Sequence, residues 1–194
     1  MKTDKLRIKD IITVTLLSLI NIIIFSLGTF LYATPITLLL MPVFYSLLQG
    51  MVFFMIGVKV RKKGAMLLYC VIQGILGFNI PYIVVFILAG IIAELILAKT
   101  GYANTTKGLT ISYILMQLLA CVGNTIYPYA ITLNATMSGL ENEGNLDSVI
   151  GRAGEMIQSW GCAILALTVV LGAFIGAMIG KRVVKKHLMT EETA

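Results

Sequence analysis

Charge is scarce in this sequence. Asp, Glu, Lys and Arg make up 12% of the 194 residues, about half the share of a soluble domain, while 58% are apolar and the mean hydropathy is +0.94. That balance excludes an ordinary water-soluble fold and marks a polytopic membrane protein. Histidine is nearly missing: the single one, His187, lies beside Lys185 and Lys186 near the C-terminal end. A serine–histidine dyad or a histidine-ligated metal inside the bilayer is therefore not expected. No Walker-type glycine loop and no run of spaced aspartates occurs, so the chain is expected to be no enzyme, to hydrolyse no ATP itself and to need no cofactor. The cysteines, Cys70, Cys121 and Cys162, are odd in number and sit in apolar runs without CxxC spacing. They read as inert packing residues rather than as a disulfide framework or a metal site. The net charge of +6 does not indicate a nucleic-acid partner, because the basic residues form short clusters between apolar runs and no continuous basic face.

What the sequence does have is long apolar runs, and these organise it. Residues 11–31 are the first expected span, about 31 Å as a helix, and are too long for a signal-peptide core. A second span is expected over 36–58, with Pro35 in its first turn and Pro42 as a kink. Residues 65–98 would make one helix of about 51 Å, too long for a single crossing, so they divide at Asn79–Pro81 into spans 65–78 and 81–98. Spans over 109–127 and 160–179 complete six. The fold class is thus all-α, a six-transmembrane-helix bundle forming one membrane domain over residues 1–194.

The only long stretch that water could comfortably solvate runs from Asn124 to Trp160. Its central part, an expected external loop over 129–159, carries Glu141, Glu143, Asp147 and Glu155 against Arg152. Apolar residues at Val149, Ile150, Ala153, Met156 and Ile157 recur near the period of an amphipathic helix. Of the 15 Lys and Arg, 14 fall in the N-terminal flank, the 59–63 turn, the 99–107 loop and the C-terminal tail. Cytoplasmic loops carry such an excess, which places both termini in the cytoplasm and the acidic loop outside.

Polar and aromatic side chains gather at the external ends of the spans. Tyr32, Asn79, Tyr82, Asn124, Tyr127, Tyr129, Gln158 and Trp160 are the candidate substrate-binding residues. An aromatic belt at headgroup level would account for several of them; it accounts less well for the amides, which need partners near hydrocarbon. Gln49, Gln73 and Gln117 lie deeper and fit a site or interhelical hydrogen bonding equally. Glu94 is the one carboxylate within a span, five residues from Lys99. It fits a helix-end ion pair with Lys99 or the 61–63 cluster, a contact with a cytoplasmic partner, or a proton-coupling group. Gly172, Gly176 and Gly180 form a small-residue stripe that suits close packing within the chain or docking of a partner.

Three segments in this order, KLRIKDIITV (5–14), AGIIAELIL (89–97) and GAFIGAMIGKRVVKKH (172–187), resemble the substrate-binding (S) components of energy-coupling factor (ECF) transporters. Within these the chain is most similar to the MptD-like, or Trep_Strep, family of Gram-positive bacteria. The resemblance implies a subunit of the cell membrane that binds a micronutrient-like molecule from outside and associates with a transmembrane coupling protein and two ATPase subunits. It also implies closure over the substrate by the loops after spans one, three and five, here 32–35, 78–81 and 129–159. Many such components dock through an alanine pair at four-residue spacing in the first span; this first span has none. Missing imidazoles argue against a metal ion as cargo, and the acidic loop favours a neutral or cationic organic molecule over an anion. A small membrane scaffold or regulatory subunit without a ligand is the other reading, since the glycine stripe suits it equally.

Overall fold

The computed structural model describes residues 5–77, 80–102, 106–138, 146–158 and 160–187, with backbone alone for 146–148 and 187. The described residues form α1 (Ile8–Leu27), which tightens into a 3-10 turn (Gly28–Ala33), then α2 (Pro35–Lys59), α3 (Ala65–Leu76) and α4 (Ile80–Thr100). They continue with α5 (Thr106–Cys121), whose end widens into a π-helix (Val122–Ile131), α6 (Leu133–Ser138), α7 (Leu146–Ile157) and α8 (Trp160–His187). Five helices, 8–33, 35–59, 80–100, 106–131 and 160–186, are long and apolar enough to cross a membrane. The sixth expected crossing, α3, has 12 residues and spans about 18 Å, short of a hydrocarbon core near 30 Å.

Local signals set most boundaries. Asp10 accepts the Arg7 backbone amide at 2.8 Å and starts α1 three residues before the expected span. Thr34 and Thr37 reciprocate in a capping box, with Pro35 at the first helical position of α2. Pro128, where the fifth span was expected to stop, lies inside the π-helix instead. Proline lacks the N–H that an α-helix requires, and the wider coil absorbs the lost bond; Thr132 N donates to the Tyr127 carbonyl, five residues back. α8 runs eight residues past the expected 160–179, because Val184 is still buried against the bundle.

The helices sort the charges. Lys62 pairs with Asp10 at 2.7 Å, joining the start of α1 to the turn after α2. Glu94, near the end of α4, joins the start of α3: its Oε1 accepts Met66 N at 2.9 Å and Leu67 N at 3.4 Å, and Tyr102 donates to Oε2 at 2.7 Å. This corrects the expectation that Glu94 pairs with lysine or contacts a partner. Its oxygens cap α3, where the exposed amides and the positive end of the helix dipole favour an anion. Burial, with the bond to Glu94, holds the Tyr102 phenol above its ordinary range, so it remains a donor. Every described Lys and Arg except Arg152 lies at this basic end.

α2 and α8 form the most extensive helix pair. Its seam is the glycine stripe, and the expected docking of a partner there is corrected, since α2 of the same chain fills it. A Cβ on Gly176 would overlap the Ser46 carbonyl, one on Gly172 the Ser46 hydroxyl, and one on Gly180 would lie 2.6 Å from the Gly50 carbonyl. Only glycine admits this approach, which substitutes for the hydrophobic drive that lipid removes. At the end away from the basic residues, α7 lies across the π-helix, α2 and the 3-10 turn. Ile150, Ala153 and Ile157 are buried beneath it, the face the amphipathic period predicts.

Candidate functional site

Between α2, α4 and α5 the bundle holds a small, partly open hollow lined by Pro42, Tyr45 and Gln49 of α2, Tyr82 of α4, and Gln117, Ala120, Cys121 and Asn124 of α5 and its π-helical end. Helical spacing explains the grouping. Pro42, Tyr45 and Gln49 fall at i, i+3 and i+7, and Gln117 and Asn124 at i and i+7, so each set shares one face. The hollow accepts a water centre over about 10 Å³, the room one water needs. Among the described residues no acidic or basic side chain lines it.

Its walls are held by specific bonds. Tyr113 donates to the Ser46 carbonyl at 2.6 Å. Gln117 Nε2 donates to Gln49 Oε1 at 3.0 Å and to the Tyr113 hydroxyl at 3.1 Å. Tyr45 stacks on Phe25 with ring centres 5.4 Å apart and donates to the Phe25 carbonyl at 3.2 Å. Gly28 makes that crossing feasible, since a Cβ there would overlap the Tyr45 hydroxyl. Tyr82 packs on Phe86, with centres 4.5 Å apart, beside Gly77. Gln117 Oε1 and Gln49 Nε2 make no hydrogen bond to a described residue; the fully buried polar side-chain atoms without a partner among the described residues are elsewhere, Asn21 Oδ1, Gln73 Nε2 and Ser112 Oγ.

The structure distributes the described sequence candidates over four places. Tyr82 and Asn124 line the hollow. Tyr32 and Tyr129 face each other above it, Tyr129 buried and Tyr32 partly exposed. Gln158 lies apart from it, in an open half-polar depression with residues 130–135 of the cap. Tyr127 and Trp160 point outward; Trp160 is 82% exposed, as suits an anchor at the membrane–water interface. Asn79 lies outside the described residues. Tyr45 is the wall residue that sequence reasoning passed over, although its place four residues before Gln49 on one face was a readable signal. Of the deeper glutamines, Gln49 and Gln117 join the hollow and Gln73 does not. Among the described residues no group of three or more His, Cys, Asp or Glu could hold a metal ion.

No curated protein and no solved structure matches the chain. A family model does, over residues 8–189, nearly the whole length. The protein is a multi-pass membrane protein belonging to the Trep_Strep family, described as a hypothetical bacterial integral membrane protein.

Proposed function

We propose that the protein is the substrate-capture subunit of an ECF-type importer. It binds a small organic micronutrient at the end away from the basic residues and passes it to a coupling protein with two ATPase subunits, which drive uptake. The observation that carries this reading is the hollow between α2, α4 and α5, where the described lining carries no charge and gathers the amides of Gln49, Gln117 and Asn124 beside the rings of Tyr45 and Tyr82. The likeness of segments 5–14, 89–97 and 172–187 to S components supports the same reading.

In this arrangement α3 serves as a short sixth crossing. The basic end is cytoplasmic with both termini, the capped end faces outward, and the membrane is the plasma membrane. The protein performs no catalysis and holds no cofactor. The module docks on a surface other than the glycine stripe, which α2 occupies. The test is transport. Vesicles holding the protein and its host's coupling module are expected to accumulate one member of a micronutrient panel in an ATP-dependent way. Replacing residues 130–158 by a short turn should leave insertion intact and abolish ligand retention. ATP-dependent accumulation of no member would retire the proposal.

A further inference from the structure

We infer that the hollow recognises an uncharged ligand through a paired donor–acceptor edge, such as a lactam, ureide or primary carboxamide presents; the inference rests on the capture reading and specifies its substrate class. The fixed point is a backbone carbonyl, which accepts and never donates. Ser46 O lies 2.6 Å from the Tyr113 hydroxyl, so the phenol proton is spent there and the phenol oxygen can only accept. Gln117 must therefore present its nitrogen to Tyr113 at 3.1 Å, because its oxygen there would set two acceptors against each other. The second proton of the same amide goes to Gln49 Oε1 at 3.0 Å. Both amide orientations thus follow from the bonding chain rather than from a choice between O and N.

Two groups are left over, the Gln117 Oε1 acceptor and the Gln49 Nε2 donor, on side chains that touch through their other ends. One accepts and the other donates, and both residues line the hollow. A ligand with an N–H beside a C=O satisfies both at once. A carboxylate offers no donor to Gln117 Oε1, and an ammonium offers no acceptor to Gln49 Nε2. Either would also bring a bare charge into a site whose described lining residues offer no counter-ion. Asn124 adds a third amide, and the rings of Tyr45 and Tyr82 add flat apolar walls, which suits a planar body behind the edge. Since the hollow has room for about one water, the ligand enters when the cap over Tyr129 lifts.

The test uses three probes of one shape and different charge: benzamide, benzoate and benzylammonium. The protein in lipid nanodiscs is unfolded thermally with each at millimolar concentration. Benzamide is expected to raise the Tm, because it binds only the folded state, and its two charged analogues to leave it unchanged. Gln117→Leu should weaken benzamide about tenfold or more; Gln49→Met, which keeps the Tyr113 bond, serves if that variant does not fold. A rise with no probe, or an equal rise in both variants, overturns the inference. A rise with benzoate or benzylammonium that Gln117→Leu removes overturns the uncharged edge and leaves ligand capture standing. The capture reading itself is decided by the ATP-dependent accumulation described above.

Discussion

Glu94 of α4 holds the start of α3 by accepting the Met66 amide at 2.9 Å, a helix cap supplied by a different helix. The bond explains why a carboxylate sits 9% exposed in a lipid-embedded bundle: the N-cap of α3 is Gly64, in the left-handed region, which offers no side-chain cap of its own.

A carboxamide can still accept the amides through its oxygen. Glu94→Gln is therefore expected to lower stability by about 1 kcal/mol and Glu94→Ala by about 2 kcal/mol or more. Thermal unfolding in nanodiscs checks the order. Retained transport in Glu94→Gln would also remove the proton-coupling role that an intramembrane carboxylate suggests.

The α2–α8 seam admits no Cβ at Gly176. Gly176→Ala is expected to cost about 1–3 kcal/mol by overpacking, and Gly176→Val to yield little monodisperse protein. Gly151→Ala is the control, since its Cβ would sit 3.4 Å from the Met137 methyl, an ordinary contact. Equal behaviour of the Gly176 and Gly151 alanine variants would mean that the seam is looser than described.

Asn21 of α1 donates to the fully buried Tyr69 hydroxyl of α3 at 2.6 Å. A double-mutant cycle with Asn21→Leu and Tyr69→Phe should give a coupling of about 0.6–1.7 kcal/mol, the range for interhelical bonds in membranes. Additive losses would show that the pair contributes nothing to holding the short α3 in place.

α7 seats on the π-helix through Gly154, where a Cβ would lie 2.6 Å from the Tyr129 carbonyl and 2.7 Å from the Leu133 methyls. Gly154→Val is expected to lift the cap while leaving the membrane helices in place. Faster proteolysis of α7 and weaker ligand retention, at unchanged expression, are the readouts. An unaltered digestion pattern would show that the cap does not depend on this contact.

The lengths of the apolar runs and the ends of the helices were largely legible in the sequence, because they depend on local chemistry. Thr34–Pro35 starts α2, and Val149–Ile157 shows the buried face of α7. The misjudged ends have non-local or competing causes. α8 continues because Val184 is buried against the bundle, and the helix survives Pro128 because the coil can widen to π.

The sequence by itself determined that the protein lives in a membrane, because 58% apolar residues with 12% charge have no stable arrangement in water. It also determined which segments cluster at the basic end. Only the tertiary structure decided what the ambiguous polar and small residues do. Whether Glu94 pairs with a lysine or caps a helix, whether the glycines face a partner or α2, and which partner Gln49 and Gln117 bond across the bundle all depend on which helix stands opposite. Helical period fixes the face a residue occupies; the identity of the neighbour is a property of the packed bundle.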